Sequence, residues 1–207
     1  MKYLVIDTSN TGTIVGIFND KEPLLISRDK DSSKQNEVLP ILVRDMMARL
    51  DIKFSDIGKI LVTKGPGSFT GIRIGLSFAR GLGLSNGIEV VGIDNFDALK
   101  GNVRVDNDIL IAIDSKKGDW FLKTPKTEPQ AGGIELAEFL IKDMFMPKLI
   151  SFKADDLGVK LGLKVILETE VTATGIVNAY YALSTKSDRS PNPVYIRSAD
   201  VTIKKCI

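Results

Sequence analysis

Two stretches of this sequence open in the same way. Residues 3–7 read YLVID, followed by a polar turn at 8–12 and then by TIVGIF. Residues 109–114 read ILIAID, followed by SKKG at 115–118 and then by DWFLK. A short apolar run that closes on an aspartate is a buried strand meeting a turn, so each unit reads strand, Asp, turn, strand. Asp7 and Asp114 lie 107 residues apart, about half the chain. Recurrence at that distance points to an internal duplication, with chance likeness of two strand ends as the competing reading. A duplicated α/β unit narrows the architecture to two related lobes, with a boundary near residue 101: 1–100 and 101–207.

The chain has 207 residues, enough to bury a core in either arrangement. Its 28 basic and 26 acidic residues leave a net charge of +2, which gives no reason to expect nucleic-acid or membrane binding by this chain alone. No apolar run approaches the roughly 18 residues of a membrane span. MKYLVIDTS reaches an aspartate too early for a signal peptide. Cys206 is the only cysteine, so an internal disulfide is excluded and a reducing cytoplasm fits. There is no histidine. That removes imidazole metal ligands, histidine bases and every triad built on histidine.

Strands are predicted at 3–7, 13–18, 23–28, 60–63, 89–93, 109–114, 119–123, 148–152 and 164–168. Helices are predicted at 36–50, 70–85, 134–144 and 173–184, with one helical turn at 96–100. The tract 124–133 reads as a loop, and Lys204 and Lys205 as a solvated tail. No stretch is rich enough in Gly, Ser or Pro to act as a flexible linker.

The segment KGPGSFTGIRIG, residues 64–75, has the composition of a phosphate cradle between a strand and a helix. It matches neither the P-loop, which needs Gly-Lys-Ser/Thr four residues after a glycine, nor the dinucleotide fingerprint, because position 70 is Thr. Gly65 and Gly67 permit a tight loop, and Ser68 or Thr70 can cap the helix that follows. Helix N-termini attract anions, so Asp7, Thr8, Ser9, Gly65, Gly67, Ser68, Thr70 and Arg73 are the candidate nucleotide-loop residues. A structural turn fits the local evidence equally well. Asp7 and Asp114 could hold a hydrated Mg²⁺ or serve as turn aspartates; no third carboxylate stands at a recognisable spacing, and no metal site is assigned.

Two helices carry more small and apolar residues than a wetted helix needs. Gly71, Gly75, Ala79 and Gly83 form one ridge at four-residue spacing, and helical glycines at up to about 1 kcal/mol each need compensation. A second helix approaching closely would supply it, either from a partner or from the same lobe. On helix 36–50, Leu39, Leu42, Val43, Met46, Met47 and Leu50 span roughly 140° of surface, with Val38 and Ile41 outside that arc. A stripe little wider than 100° is enough for a helix wetted on one face. The competing reading is a deeply buried core helix. Val38, Leu39, Leu42, Val43, Met46, Met47, Gly71, Gly75, Ala79 and Gly83 are therefore the candidate partner interface, and Gly75→Leu is expected to block assembly while leaving the lobe folded.

The islands LVIDTS, GPGSFTGIRIGLSFARGLGL with VVGID after it, and PVYIR at 193–197 resemble the TsaB, or YeaZ-type, family of the bacterial threonylcarbamoyladenosine system. The likeness covers the first hundred residues well and the second lobe in patches. It implies an α/β, actin-like and Hsp70-like (ASKHA) duplicated two-lobe fold. It implies a catalytically silent paralogue of TsaD, the subunit that moves threonylcarbamoyl onto an adenosine beside the tRNA anticodon. TsaD-like enzymes hold metal through a His-x-x-x-His helix, which a chain without histidine lacks. The resemblance further implies docking to TsaD through helices 36–50 and 70–85, a TsaE-type ATPase in the same complex, and a homodimer when alone. Contact with tRNA would come through the complex, there is no cofactor of its own, and ATP or ADP at the complex interface is left open. An active phosphotransferase or ATPase on the same fold is the alternative. Lys34 stands where the family commonly has histidine, and the second lobe is shorter and more polar than usual.

Overall fold

The computed structural model describes residues 1–103, 108–183 and 187–197. The expected tail at Lys204 and Lys205, with Cys206, lies outside the described residues.

The first half begins as a meander, β1 (Lys2–Asp7), β2 (Thr13–Asn19) and β3 (Glu22–Asp29). It continues with α1 (Gln35–Arg49), β4 (Ile57–Thr63), α2 (Phe69–Asn86), β5 (Glu89–Ile93) and α3 (Asn95–Lys100). The second half repeats it: β6 (Ile109–Asp114), β7 (Trp120–Lys123), β8 (Gln130–Gly132), α4 (Ile134–Ile141), β9 (Lys148–Phe152), α5 (Asp155–Leu161), β10 (Lys164–Glu168) and α6 (Ala173–Ala182). The sheets have the same order, β3-β2-β1-β4-β5 and β8-β7-β6-β9-β10. In each, the first three strands pair antiparallel and the last two add in parallel. Asp7 and Asp114 end the equivalent central strands β1 and β6. The duplication is structural, and the fold is the α/β, actin-like two-lobe architecture.

Central strands are apolar throughout because both faces are covered. In β1, Leu4 and Ile6 point to one face, where Leu39, Val43, Met46, Ile72, Leu76 and Ala79 of α1 and α2 complete a core. Tyr3 and Val5 point to the other. There α3 and α6 lie between the sheets, with Phe96, Leu99, Ile176 and Val177 packed against Leu61 and Val91 on one side and Ile109, Ile111 and Ile150 on the other. The outer face of the second sheet is covered by α4 and α5, with Leu110, Trp120 and Leu122 meeting Ala137 and Leu157.

The expected strands fall within two or three residues of their places. The reading of 124–133 as loop missed β8, whose three residues sit at a sheet edge without apolar alternation. No helix was expected at α5, which is seven residues long with Gly158 inside, too short for a helical period to register. Between the two sheets, α3 ends at Lys100 and β6 starts at Ile109. The halves nevertheless interlock, because α6 from the second packs on the first sheet. Among the described residues no helix is long and apolar enough to cross a membrane.

Candidate functional site

The turns after β1 and β6 face each other across a cleft between the lobes, lined by Ser9, Asn10, Gly67, Asp114, Ser115 and Lys153 among others. Its cavity is about 40 Å³. Asp7 is buried at its floor. Its Oδ1 accepts from the Ser9 amide at 2.9 Å, the Ser9 hydroxyl at 2.6 Å and the Thr63 hydroxyl at 2.6 Å. Asn10 Nδ2 approaches Oδ2 at 3.4 Å. Of the two roles open to this aspartate, the bonds made are those of a turn carboxylate holding nearby donors. Asp114 is half-buried and accepts from the Lys116 amide at 2.8 Å. Among the described residues no three His, Cys, Asp or Glu side chains cluster as metal ligands would.

The loop at 64–75 is pinned to the β1–β2 turn. The Ser68 amide donates to the Ser9 carbonyl at 2.7 Å, and the Thr8 hydroxyl donates to the Gly71 carbonyl at 2.7 Å. Ser68, not Thr70, caps α2, accepting from the Gly71 amide at 3.2 Å. Gly65 sits at φ +104°, in the region that favours glycine, and a Cβ on Gly67 would overlap the Ser9 carbonyl. Asn95 is fully buried and ties the parts together, its Nδ2 donating to Ser9 Oγ at 2.8 Å and to the Pro66 carbonyl at 2.7 Å. Thr70 and Arg73 are exposed. The Arg73 guanidinium lies 3.7 Å from the Phe69 ring centre, and its Nε donates to Tyr195 Oη at 3.3 Å.

The ridge on α2 requires a correction. Gly71, Gly75, Ala79 and Gly83 are buried inside their own lobe. A Cβ on Gly71 would overlap the Thr8 carbonyl, one on Gly75 the Thr8 hydroxyl, and one on Gly83 the Val90 side chain and Ile88 carbonyl. The small residues let α2 lie close on β1 and the β4–β5 layer, so they are not a partner surface, and Gly75→Leu would disrupt the lobe. On α1, Leu39, Val43, Met46 and Met47 are likewise buried in the core, and Val38 and Leu42 are half-buried. The wide apolar arc is consumed by the sheet on one side and by contact with α2 and the 3-10 turn Phe54–Asp56 on the other.

What remains outside is a different set. Ile41, which fell outside the predicted arc, is 47% exposed. Val38, Leu42, Ile74, Phe78 and Leu82 are half-buried. Between α1 and α2 runs an open groove of about 460 Å³, lined by Pro40, Arg44, Met47, Phe54, Phe78 and Leu82.

Three features of the site left no readable signal. Gln35, buried at the start of α1, donates through Nε2 to the Thr8 carbonyl at 2.9 Å and also to the Gly12 carbonyl. Lys64 is 5% exposed at its side chain, and its ammonium is held by the Asp188 carboxylate at 2.9 Å and carbonyl at 2.8 Å. This anchors a strap, residues 187–197, that recrosses the first lobe. The Gly92 amide donates to the Arg189 carbonyl and the Val194 amide to the Lys64 carbonyl. The strap then reaches the second lobe through an ion pair between Arg197 and Asp119. The third feature is Asp94, which caps α3 by accepting from the Phe96 amide at 2.7 Å. Burial pushes its carboxyl up to about 6, against the pull of Lys123. Lys123 on β7 reaches Asp94 at 3.5 Å and Asp97 at 3.3 Å, joining the two halves.

Residues 30–127 match the family model described as TsaD, tRNA N6-adenosine threonylcarbamoyltransferase. The tRNA threonylcarbamoyladenosine biosynthesis protein TsaB of Escherichia coli (strain K12) is 29% identical over 122 residues, 58% of this chain and 52% of that protein. The TsaB of Bacillus subtilis (strain 168) is 32% identical over 121 residues, 57% of this chain and 52% of that one. The chain thus spans about half the length of the curated relatives it matches. Among solved structures, an uncharacterized protein from Pseudomonas aeruginosa with similarity to peptidase YEAZ superposes with a TM-score of 0.77 at 16% identity, over 95% of this chain and 99% of that one. The ethanolamine utilization protein EutJ from Carboxydothermus hydrogenoformans gives 0.51 at 10% identity, over 86% and 89%. These two share the fold.

Proposed function

We propose, from its likeness to TsaB and to YeaZ-like structures, that this chain is a non-catalytic subunit that binds a TsaD-type paralogue and supports threonylcarbamoyl transfer to tRNA. The observation that carries this reading is the open apolar groove between α1 and α2, with Phe78 and Leu82 on one wall and Pro40 and Phe54 on the other. Exposed apolar surface of this kind marks an interaction site. The partner would lay two helices of its own against Val38, Ile41, Leu42, Ile74 and Phe78, forming a four-helix contact. With the partner missing, two copies of this chain would pair through the same face. A TsaE-type ATPase would join through the complex.

The phosphotransferase alternative is poorly served. Asp7, its metal-holding candidate, already accepts three close hydrogen bonds through Oδ1. ATP or ADP serving the complex would then bind at the interface between subunits.

The test is reconstitution of tRNA modification from the adenylate-forming enzyme, TsaD, the ATPase and this protein, reading modified nucleosides by mass spectrometry. Modification is expected only with this chain present. Phe78→Asp, which places a carboxylate in the groove at a half-buried ring packed on the edge of the core, is expected to weaken TsaD binding at least ten-fold in calorimetry while circular dichroism shows the fold kept. Unchanged affinity in that variant would remove the docking face, and unchanged modification yield without the chain would remove the role.

A further inference from the structure

Adjoining the cleft, with Gly67, Ser68, Ser115, Lys116 and Phe121 common to both, lies a second cavity of about 370 Å³. Ile72, Val194, Phe69, Phe121 and Tyr195 are among the residues that line it. Phe69 and Tyr195 are 47% and 48% exposed, with ring centres 5.5 Å apart and planes inclined by 38°. Two large rings half in solvent, at the junction of the loop after β4 with the strap, have no core to serve.

The rim is cationic. Lys116, Lys117 and Arg197 are among its lining residues, and the Arg73 guanidinium lies 3.7 Å from the centre of the Phe69 ring. The carboxylates that face them are Asp119, committed to Arg197 and Ser115, and Asp114, which holds the Lys116 amide. Neither the Arg73 guanidinium nor the Lys116 ammonium has an ion-pair partner among the described residues. A ligand suited to this notch carries negative charge beside a flat unsaturated ring. The volume is that of one nucleotide.

We propose that this notch holds one nucleotide of an unpaired RNA strand, its base against Phe69 and Tyr195 and its phosphates against Lys116 and Arg73. Aromatic platforms bordered by cations bind single strands with little sequence preference. The choice of a strand over a free nucleotide rests on the reading above, through relatives named for tRNA modification.

The experiment is fluorescence anisotropy of the full chain with a labelled ten-nucleotide oligoadenylate at two salt concentrations, with AMP and inorganic phosphate as competitors. Phe69→Ala and Tyr195→Ala are each expected to weaken binding about ten-fold, while Tyr195→Phe keeps the ring and keeps the affinity. Lys116→Glu is expected to weaken binding and to flatten the salt dependence by about 0.7 in the log–log slope for each phosphate no longer neutralised. Binding that is absent below millimolar protein, or equal in parent and ring variants, overturns the proposal. AMP competing at the oligonucleotide's own concentration also overturns it, by marking a pocket for a free nucleotide. Phe78→Asp separates the two readings: it should bind the oligonucleotide as the parent does, so loss of docking and loss of RNA binding are scored independently.

Discussion

A methyl group added at Gly71 would overlap the Thr8 carbonyl oxygen, whereas one added at Gly81, ten residues along the same helix, would meet nothing within 4 Å. Gly71→Ala is therefore expected to cost about 1–3 kcal/mol of stability through overpacking. Gly81→Ala should add up to about 1 kcal/mol through helix propensity. Urea unfolding of the two variants reads both, and a shift of the same sign in each would mean that the ridge is not packed as described. Asp94 makes a second prediction. Its folded carboxyl sits at about 6 against an ordinary value near 3.9, so the folded state holds the proton more tightly. That contribution is complete below about pH 4 and is lost as pH rises through 6, a swing of about 2–3 kcal/mol. Asp94→Asn lacks the swing. Its melting temperature relative to the parent is expected to be higher at pH 8 than at pH 4, and a flat difference would show that Lys123 fully compensates the burial.

Among the elements, the strap at 187–197 gains its hold from a lysine buried in the first lobe. Removing one partner of a buried charge leaves the other uncompensated, and here the partner carboxylate is 68% exposed, so the loss is moderated by solvent. Asp188→Ala is expected to cost about 1–2 kcal/mol and to make the segment markedly more sensitive to limited proteolysis. Unchanged cleavage would mean that the Gly92 and Val194 backbone bonds alone hold it. The helices α1 and α2 show how far a sequence carries an element. Their positions and lengths followed from periodicity and from Ser68, but their outward faces did not. Leu39 and Ile41 are equally apolar and two residues apart, and only the sheet's position makes one core and the other surface.

For the molecule as a whole, the interlocking of α6 with the first sheet decides cooperativity. Tyr3, Val5, Leu61 and Val91 are covered by residues from beyond position 170, Ile176 and Val177 among them. A fragment ending at residue 101 would expose that face, so it is expected to lack the cooperative unfolding and dispersed amide spectrum of a folded domain. The full chain should unfold in one transition by circular dichroism and by Trp120 fluorescence. Two separated transitions, or a folded fragment, would show that the halves are independent.

The repeated strand–Asp–turn–strand unit was legible because it is written in local pattern: apolar runs ending at Asp7 and Asp114, a polar turn, a returning strand. The same holds for the tight loop at Gly65 and Gly67 and for the absence of histidine chemistry. The tertiary structure alone decided which faces are buried. A ridge of small residues permits close approach, and whether a strand of the same lobe or a helix of a partner approaches is a relation between distant segments that no window of sequence contains. The notch beside Phe69 is of the same kind. Phe69, Lys116 and Tyr195 belong to three separate segments, and they become neighbours only when the second half folds back on the first.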